Sequence, residues 1–126
     1  MSLVLDAGAF IAYERNHAKV RAYVTTAEAD GIRLRTSAAV VAQVWRGGGR
    51  QALLAQLLAG IDEVAVTPAR ARAIGALLAL ARATDVVDAA VIELAQDDDE
   101  ILTSDPSDLK RLANASGKRL VITSVR

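Results

Sequence analysis

Short apolar runs along this chain alternate with longer stretches in which apolar residues recur every three or four positions. Leu3, Val4 and Leu5 form the first run and read as a buried strand, followed by helical spacing from about Ala9 to Ala29. "GIRLRTS" supplies a second strand, and Ser37 can cap a helix running through "AAVVAQVWR". Gly47, Gly48 and Gly49 interrupt that helix, and "RQALLAQLLAG" resumes helical periodicity until Gly60. "DEVAVT" reads as a third strand, and Pro68 then stands at the favoured first position of the helix "ARARAIGALLALAR". A further helix spans roughly Asp85 to Gln96. "EILTS" is a fourth strand, "PSDLKRLANAS" a helix stopped at Gly117, and "RLVITSV" a final strand. Strands separated by helices predict one domain over residues 1–126: a three-layer α/β/α fold around a mainly parallel sheet.

Composition narrows the chemistry. Hydrophobic residues make up 52% of the chain and aromatic ones only 3%, so Ala, Val and Leu must build the core. Apolar helical faces such as "LLAQLL" and "LLALA" exceed what one small core needs, which agrees with a homodimer. With no cysteine there is neither a disulfide framework nor a thiolate metal site. The single histidine, His17, excludes His-rich zinc sites and argues against a Ser-His-Asp triad. The N-terminus lacks the charged segment of a secretory signal, and "AIGALLALA" is far shorter than a membrane span, so a soluble, cytoplasmic protein without a membrane role is expected. The net charge of zero provides no overall basic field, yet Arg33, Arg35, Arg46, Arg50, Arg70, Arg72 and Arg82 crowd the middle while "DDDE" forms an acidic knot.

The acids fall where a parallel sheet would gather them, because ligands bind along the edge where strand C-termini meet helix N-termini. Asp6 ends strand one, Asp105 follows strand four in "ILTSDPSDL", and Asp88 stands in "ATDVVDAAVIELA" three residues after Asp85. Asp85 and Asp105 are also good helix caps, each with an acid three residues on, Asp88 and Asp108. Capping or surface exposure accounts for Asp85 and Asp108 unaided. Asp6 resists that account, since a buried strand end has few solvating partners. Converging carboxylates raise one another's pKa unless a cation joins them. Oxygen donors without His or Cys select Mg²⁺ or Mn²⁺, ions that activate water for displacement at phosphorus.

In order, "LVLDAGAFIA", "TSAAVVAQVWRGG", "DVVDAAVIELA" and "ILTSDPSDL" resemble the PIN-domain family, and within it the VapC toxins of bacterial toxin–antitoxin pairs. The resemblance covers essentially the whole chain and implies strand order 3-2-1-4-5 with helices on both faces. It implies a metal-dependent endoribonuclease in which Asp6, Asp88 and Asp105 are catalytic Mg²⁺ or Mn²⁺ ligands, assisted by Asp108 and by Asp85. The implied products carry a 5′-phosphate and a 3′-hydroxyl. The implied partners are an RNA substrate and a cognate antitoxin that inserts a segment, often with an Arg, into the acidic groove. The family's usual second acid, a Glu, aligns with Gln43, which offers a carbonyl oxygen but no charge. Three readings of Gln43 stand open: a subfamily that works with one tightly held metal, a weakened or inactive module that binds RNA or its antitoxin, or a substitution that disarms a toxin.

Arg46 and Arg50 flank the triple glycine and are candidate RNA contacts, whereas Trp45 reads as a packing residue or a base platform. The triple glycine lacks the Lys-Ser/Thr of a phosphate loop. Thr103 and Ser104 beside Asp105 read as local backbone partners, and His17 with Arg15, Lys19 and Arg21 as a solvated helix face able to touch an RNA backbone or an acidic partner. A receiver-like phosphoacceptor role for Asp6 is disfavoured, because Ala7 and Gly8 follow it where a second Asp would stand.

Overall fold

The computed structural model describes residues 1–126. Five parallel strands form one sheet in the order β3-β2-β1-β4-β5: β1 (Ser2–Leu5), β2 (Arg33–Ser37), β3 (Asp62–Val64), β4 (Glu100–Thr103) and β5 (Val121–Ser124). This is the strand order that the family resemblance implies. β1 and β4 lie centrally and are almost wholly buried, as expected of apolar runs covered on both faces.

Seven α-helices connect the strands: α1 (Ala7–Glu14), α2 (Ala18–Ala29), α3 (Ala38–Val44), α4 (Ala52–Ala59), α5 (Pro68–Ala81), α6 (Val86–Leu94) and α7 (Pro106–Ser116). They pack in two groups, α1 with α2 and α4, and α5 with α6 and α7. From β1 the chain runs outward to β2 and β3, then crosses back to β4 on the other side, so right-handed crossovers cover opposite faces. The reversal beside β1 leaves a crevice at the strand C-termini. Phe10, Leu5, Leu54, Ile92, Ile101 and Leu102 are among the largest fully buried side chains of the core.

Three elements depart from the sequence reading. The single helix expected over Ala9 to Ala29 is two helices, because Asn16 takes a left-handed conformation (φ 60°) and His17 restarts the chain as an N-cap. Asn tolerates that region better than most residues. The strand expected through "DEVAVT" ends at Val64, since Thr67 Oγ1 turns to accept from the Arg70 amide at 3.2 Å and starts α5. The helix expected from Arg50 opens as a short 3₁₀ turn over Gly49–Gln51. There Gln51 closes the glycine loop, its Oε1 accepting from the amides of Arg46 (2.8 Å) and Gly47 (2.9 Å) while its Nε2 donates to Val44 O at 2.8 Å. Ser37 caps α3 as expected, accepting from the Ala39 amide at 3.1 Å.

Candidate active site

The register of the two central strands builds the site. Leu5 lies beside Leu102, and the Asp6 amide donates to Leu102 O at 3.1 Å, so Asp6 leaves β1 next to Thr103 at the end of β4. Both oxygens of Asp6 are occupied: Oδ1 accepts from the Ala9 amide at 3.1 Å, and Oδ2 accepts from the Thr103 hydroxyl. Asp6 thus caps α1, a role the sequence had argued against, and its burial at 5% exposure is compensated by those bonds. Burial still pushes its carboxyl above the ordinary range and the charge of Asp105 adds to this, against the Thr103, Ala9 and Gly8 hydrogen bonds.

Thr103 does more than the local bond expected of it. Its Oγ1 also accepts from the Asp105 amide at 2.9 Å, which ties Asp6 to the turn carrying Asp105. Asp105 occupies the N-cap position of α7 but makes no capping bond with its side chain, contrary to its expected role. Its carboxylate accepts instead from Ser107 Oγ at 3.2 Å and shares a hydrogen bond with Asp108. That shared bond and the charge of Asp105 raise the Asp108 carboxyl, with Arg111 pulling the other way. Asp85 caps α6 as expected, accepting from the Asp88 amide at 3.0 Å.

Asp88 gathers the cluster electrostatically. Burial, then the negative charges of Asp85, Asp6, Asp108 and Asp105, push its carboxyl up to about 7. Asp85, Asp88 and Asp108 share a cavity of about 190 Å³ with Arg82, Thr84 and Arg111. Sequence reasoning had named Arg82 only as one of the arginines in the middle of the chain and Arg111 not at all. Arg111 is held there by bonds to Ala81 O and Arg82 O at the end of α5, and Arg82 by a left-handed backbone (φ 53°). Only the tertiary fold brings these residues to the acids.

The remaining candidates lie elsewhere. Gln43 is exposed on α3, its side chain makes no hydrogen bond, and like Asp6 and Asp105 it does not line the cavity of Asp85, Asp88 and Asp108. Arg46 turns its guanidinium onto Ala42 O (3.3 Å) and Trp45 O (2.7 Å) at the C-terminus of α3, and Arg50 is exposed in the 3₁₀ turn. Trp45 is exposed over a shallow apolar hollow with Val41, Ala55 and Leu58 rather than packed in the core.

As the side chains stand, no three acidic or histidine residues converge tightly enough to grip a metal ion. The chemistry of the donor set nevertheless fits a hard cation. Asp6, Asp85, Asp88, Asp105 and Asp108 are absent from every ion pair in the protein, although other acids such as Asp62, Glu93, Asp97 and Asp98 each hold an arginine. Arg111 offsets part of the repulsion at Asp108, but none of the five acids has an ion-pair partner, and carboxylates left so close together fit a hard cation between them.

The Thr103 link is testable by unfolding. Thr103→Val leaves Asp6 Oδ2 buried without a donor and is expected to cost about 1–3 kcal/mol in urea denaturation. Thr103→Ser, which keeps the hydroxyl, should retain most of the lost stability.

No family model matches the sequence, and no curated protein matches it. Among solved structures, the fold is similar to that of VapBC2 from Rickettsia felis, determined bound to a DNA fragment from their promoter. That match has a TM-score of 0.72 at 14% identity and covers 98% of each chain. It is similar also to FitAB bound to an IR36 DNA fragment, with a TM-score of 0.63 at 15% identity over 98% of this chain and 94% of the other. At such identities the likeness is one of fold.

Proposed function

We propose that this chain, which shares its fold with chains of the VapBC2 and FitAB complexes, is a metal-dependent endoribonuclease acting as the toxin of a toxin–antitoxin pair. The observation that carries the reading is the acid cluster at the C-terminal edge of β1 and β4, whose members form no ion pair, with Asp88 pushed up to about 7 by burial and by its neighbours. Asp6, Asp88 and Asp105 would hold Mg²⁺ or Mn²⁺, with Asp108 and Asp85 adding negative charge beside them. The ion supplies activation of water and charge compensation for in-line displacement at phosphorus. The chain's own residues do the positioning. Thr103 fixes Asp6 against the Asp105 turn, and Asp85 fixes the first turn of α6 and with it Asp88. Water adds to the phosphorus and the P–O3′ bond breaks, with the proton passing to the departing 3′ oxygen, so the products are a 5′-phosphate and a 3′-hydroxyl. A cognate antitoxin that covers the acids would switch the enzyme off, and the exposed Leu80 and Val86 support a second copy as a further partner.

The test is cleavage of single-stranded RNA by the purified, antitoxin-free chain, with Mn²⁺ or Mg²⁺ and with chelator. Cleavage that chelation stops and Mn²⁺ restores is the expected result. Gln43 favours a second reading, a weakened module that binds without cutting, because it brings no charge where the family resemblance implies a Glu. Gln43→Glu separates the two. A gain of about tenfold in rate, the scale on which supporting groups tune metal sites, marks an enzyme working below full charge. Absence of cleavage from both chains leaves the binding module.

A further inference from the structure

Next to the turns that carry Asp6 and Asp105 lies a second cavity, of about 300 Å³, lined by basic and apolar residues and by no acid. Gly8 and Ser104 form one wall, and Arg15, His17 and Arg126 bring cationic or N–H donor groups to it. The wall belongs to the same chain segments as the site: Gly8 stands two residues after Asp6, and Ser104 lies between Thr103 and Asp105. The facing groups arrive there because α1 and α2 are not one helix. The left-handed turn at Asn16 folds the chain so that Arg15 and His17 flank the corner, where a continuous helix would carry them along its solvent face. Neither Arg15 nor His17 forms an ion pair or a side-chain hydrogen bond within the protein. Further along the chain in α2, Arg21 lies over the Tyr13 ring at 5.3 Å. Basic groups with no partner, next to a crevice of acids, fit a ligand that carries its own repeating negative charge.

We propose that this cavity is a backbone-phosphate subsite for the RNA strand, with Arg15 and His17 donating to the phosphate adjacent to the one cleaved and Gly8 and Ser104 forming the wall they share with the acid site. The proposal rests on the ribonuclease reading above and assigns the direction in which the strand leaves the acids, across Gly8 and Ser104 toward the corner between α1 and α2. Recognition there is of phosphate and carries no base information.

Binding of a short, labelled single-stranded RNA, measured in chelator so that no bond is cut, tests the subsite apart from catalysis. Arg15→Ala is expected to bind about tenfold more weakly, as loss of one charge-assisted contact implies. The slope of log affinity against log salt should fall by about 0.7, the value for one phosphate contact on a single strand. His17→Ala should weaken binding in the same direction. Arg33→Ala removes the same charge at the opposite end of the strands, where Arg33 holds only a loose, exposed pair with Asp62 at 3.8 Å, and should leave affinity and slope unchanged. In Mn²⁺, Arg15→Ala should raise KM while kcat stays within about twofold, the pattern of lost ground-state binding. Parental affinity and slope in both Arg15→Ala and His17→Ala, or an equal loss in Arg33→Ala, overturns the subsite. A parent that binds RNA but never cuts it in Mn²⁺ overturns the ribonuclease reading while the salt slopes still decide the subsite. A parent that binds no RNA overturns both.

Discussion

Asp88→Asn is expected to reduce RNA cleavage by about 10²–10³-fold, the usual loss when one charged group of a preorganised site is removed, and at the same time to make the protein more stable above neutral pH. The sign follows from the direction of the shift. Burial and four neighbouring carboxylates hold the Asp88 carboxyl near 7 in the folded chain, against 3.8 ordinarily. Between those values the folded state binds a proton that the unfolded chain has released, so stability falls as pH rises from about 4 to about 7 and is level beyond. Asn carries no charge to bury and escapes that loss. Discounted for the solvent that reaches Asp88, the gain at pH 8 is about 1 kcal/mol, or about 3–6 °C in Tm for a chain of this size. Mn²⁺ should act oppositely on the two proteins. It should raise the parent's Tm, and more at pH 8 than at pH 6 because it competes with the proton on Asp88, while leaving the Asn variant nearly unmoved. Thermal melts at pH 6 and pH 8 with and without Mn²⁺ check all of this. A lower Tm for Asp88→Asn at pH 8, or equal metal shifts in both chains, would remove the electrostatic account of the site.

The order and kind of the elements were legible because the local signals agreed with one another, whereas the strand order came from the family resemblance and not from any local pattern. Apolar runs bounded by Asp, Ser and Gly, caps at Ser37 and Asp85, Pro68 and Pro106 at helix starts and Gly117 at a helix end all survive in the structure. The acids were legible for a related reason: a strand that stops on Asp6 and another followed by Asp105 must bring those residues to one edge once the strands run parallel. What was illegible depends on register and on side-chain direction. Whether Asp6 caps α1 and whether Asp105 uses its own cap position turn on which oxygen Thr103 meets, and that follows from Leu5 lying beside Leu102. Arg46, read as a candidate phosphate contact, also satisfies carbonyls at the end of α3, a bond no sequence pattern announces. The break at Asn16 was masked by good helical spacing on both sides of it.

Gly8→Ala is expected to be the most damaging single-methyl change in the molecule. An added Cβ would stand 2.0 Å from Ser104 Oγ, 2.5 Å from Ser104 Cβ and 2.9 Å from the Ser104 amide nitrogen. The side chain could rotate away, but the backbone nitrogen cannot retreat without moving Thr103, whose hydroxyl holds both Asp6 and the Asp105 amide. The glycine is therefore required for close approach of α1 to the β4 turn and not for its backbone angles. Overpacking of this kind costs about 3 kcal/mol, which lowers Tm by about 10 °C. Because the wedge opens between the two strand ends that carry Asp6 and Asp105, cleavage should fall by about 10²-fold even where the variant is still folded, the loss that a misplacement of about 1 Å brings. Gly75→Ala is the control: Gly75 lies inside α5 with nothing within 4 Å of its would-be Cβ. There the same methyl should add about 0.5–1 kcal/mol through helix propensity and leave cleavage unchanged. If Gly8→Ala melts with the parent and cuts RNA at its rate, α1 and the β4 turn do not meet as described, and the geometry that joins Asp6 to Asp105 fails with it.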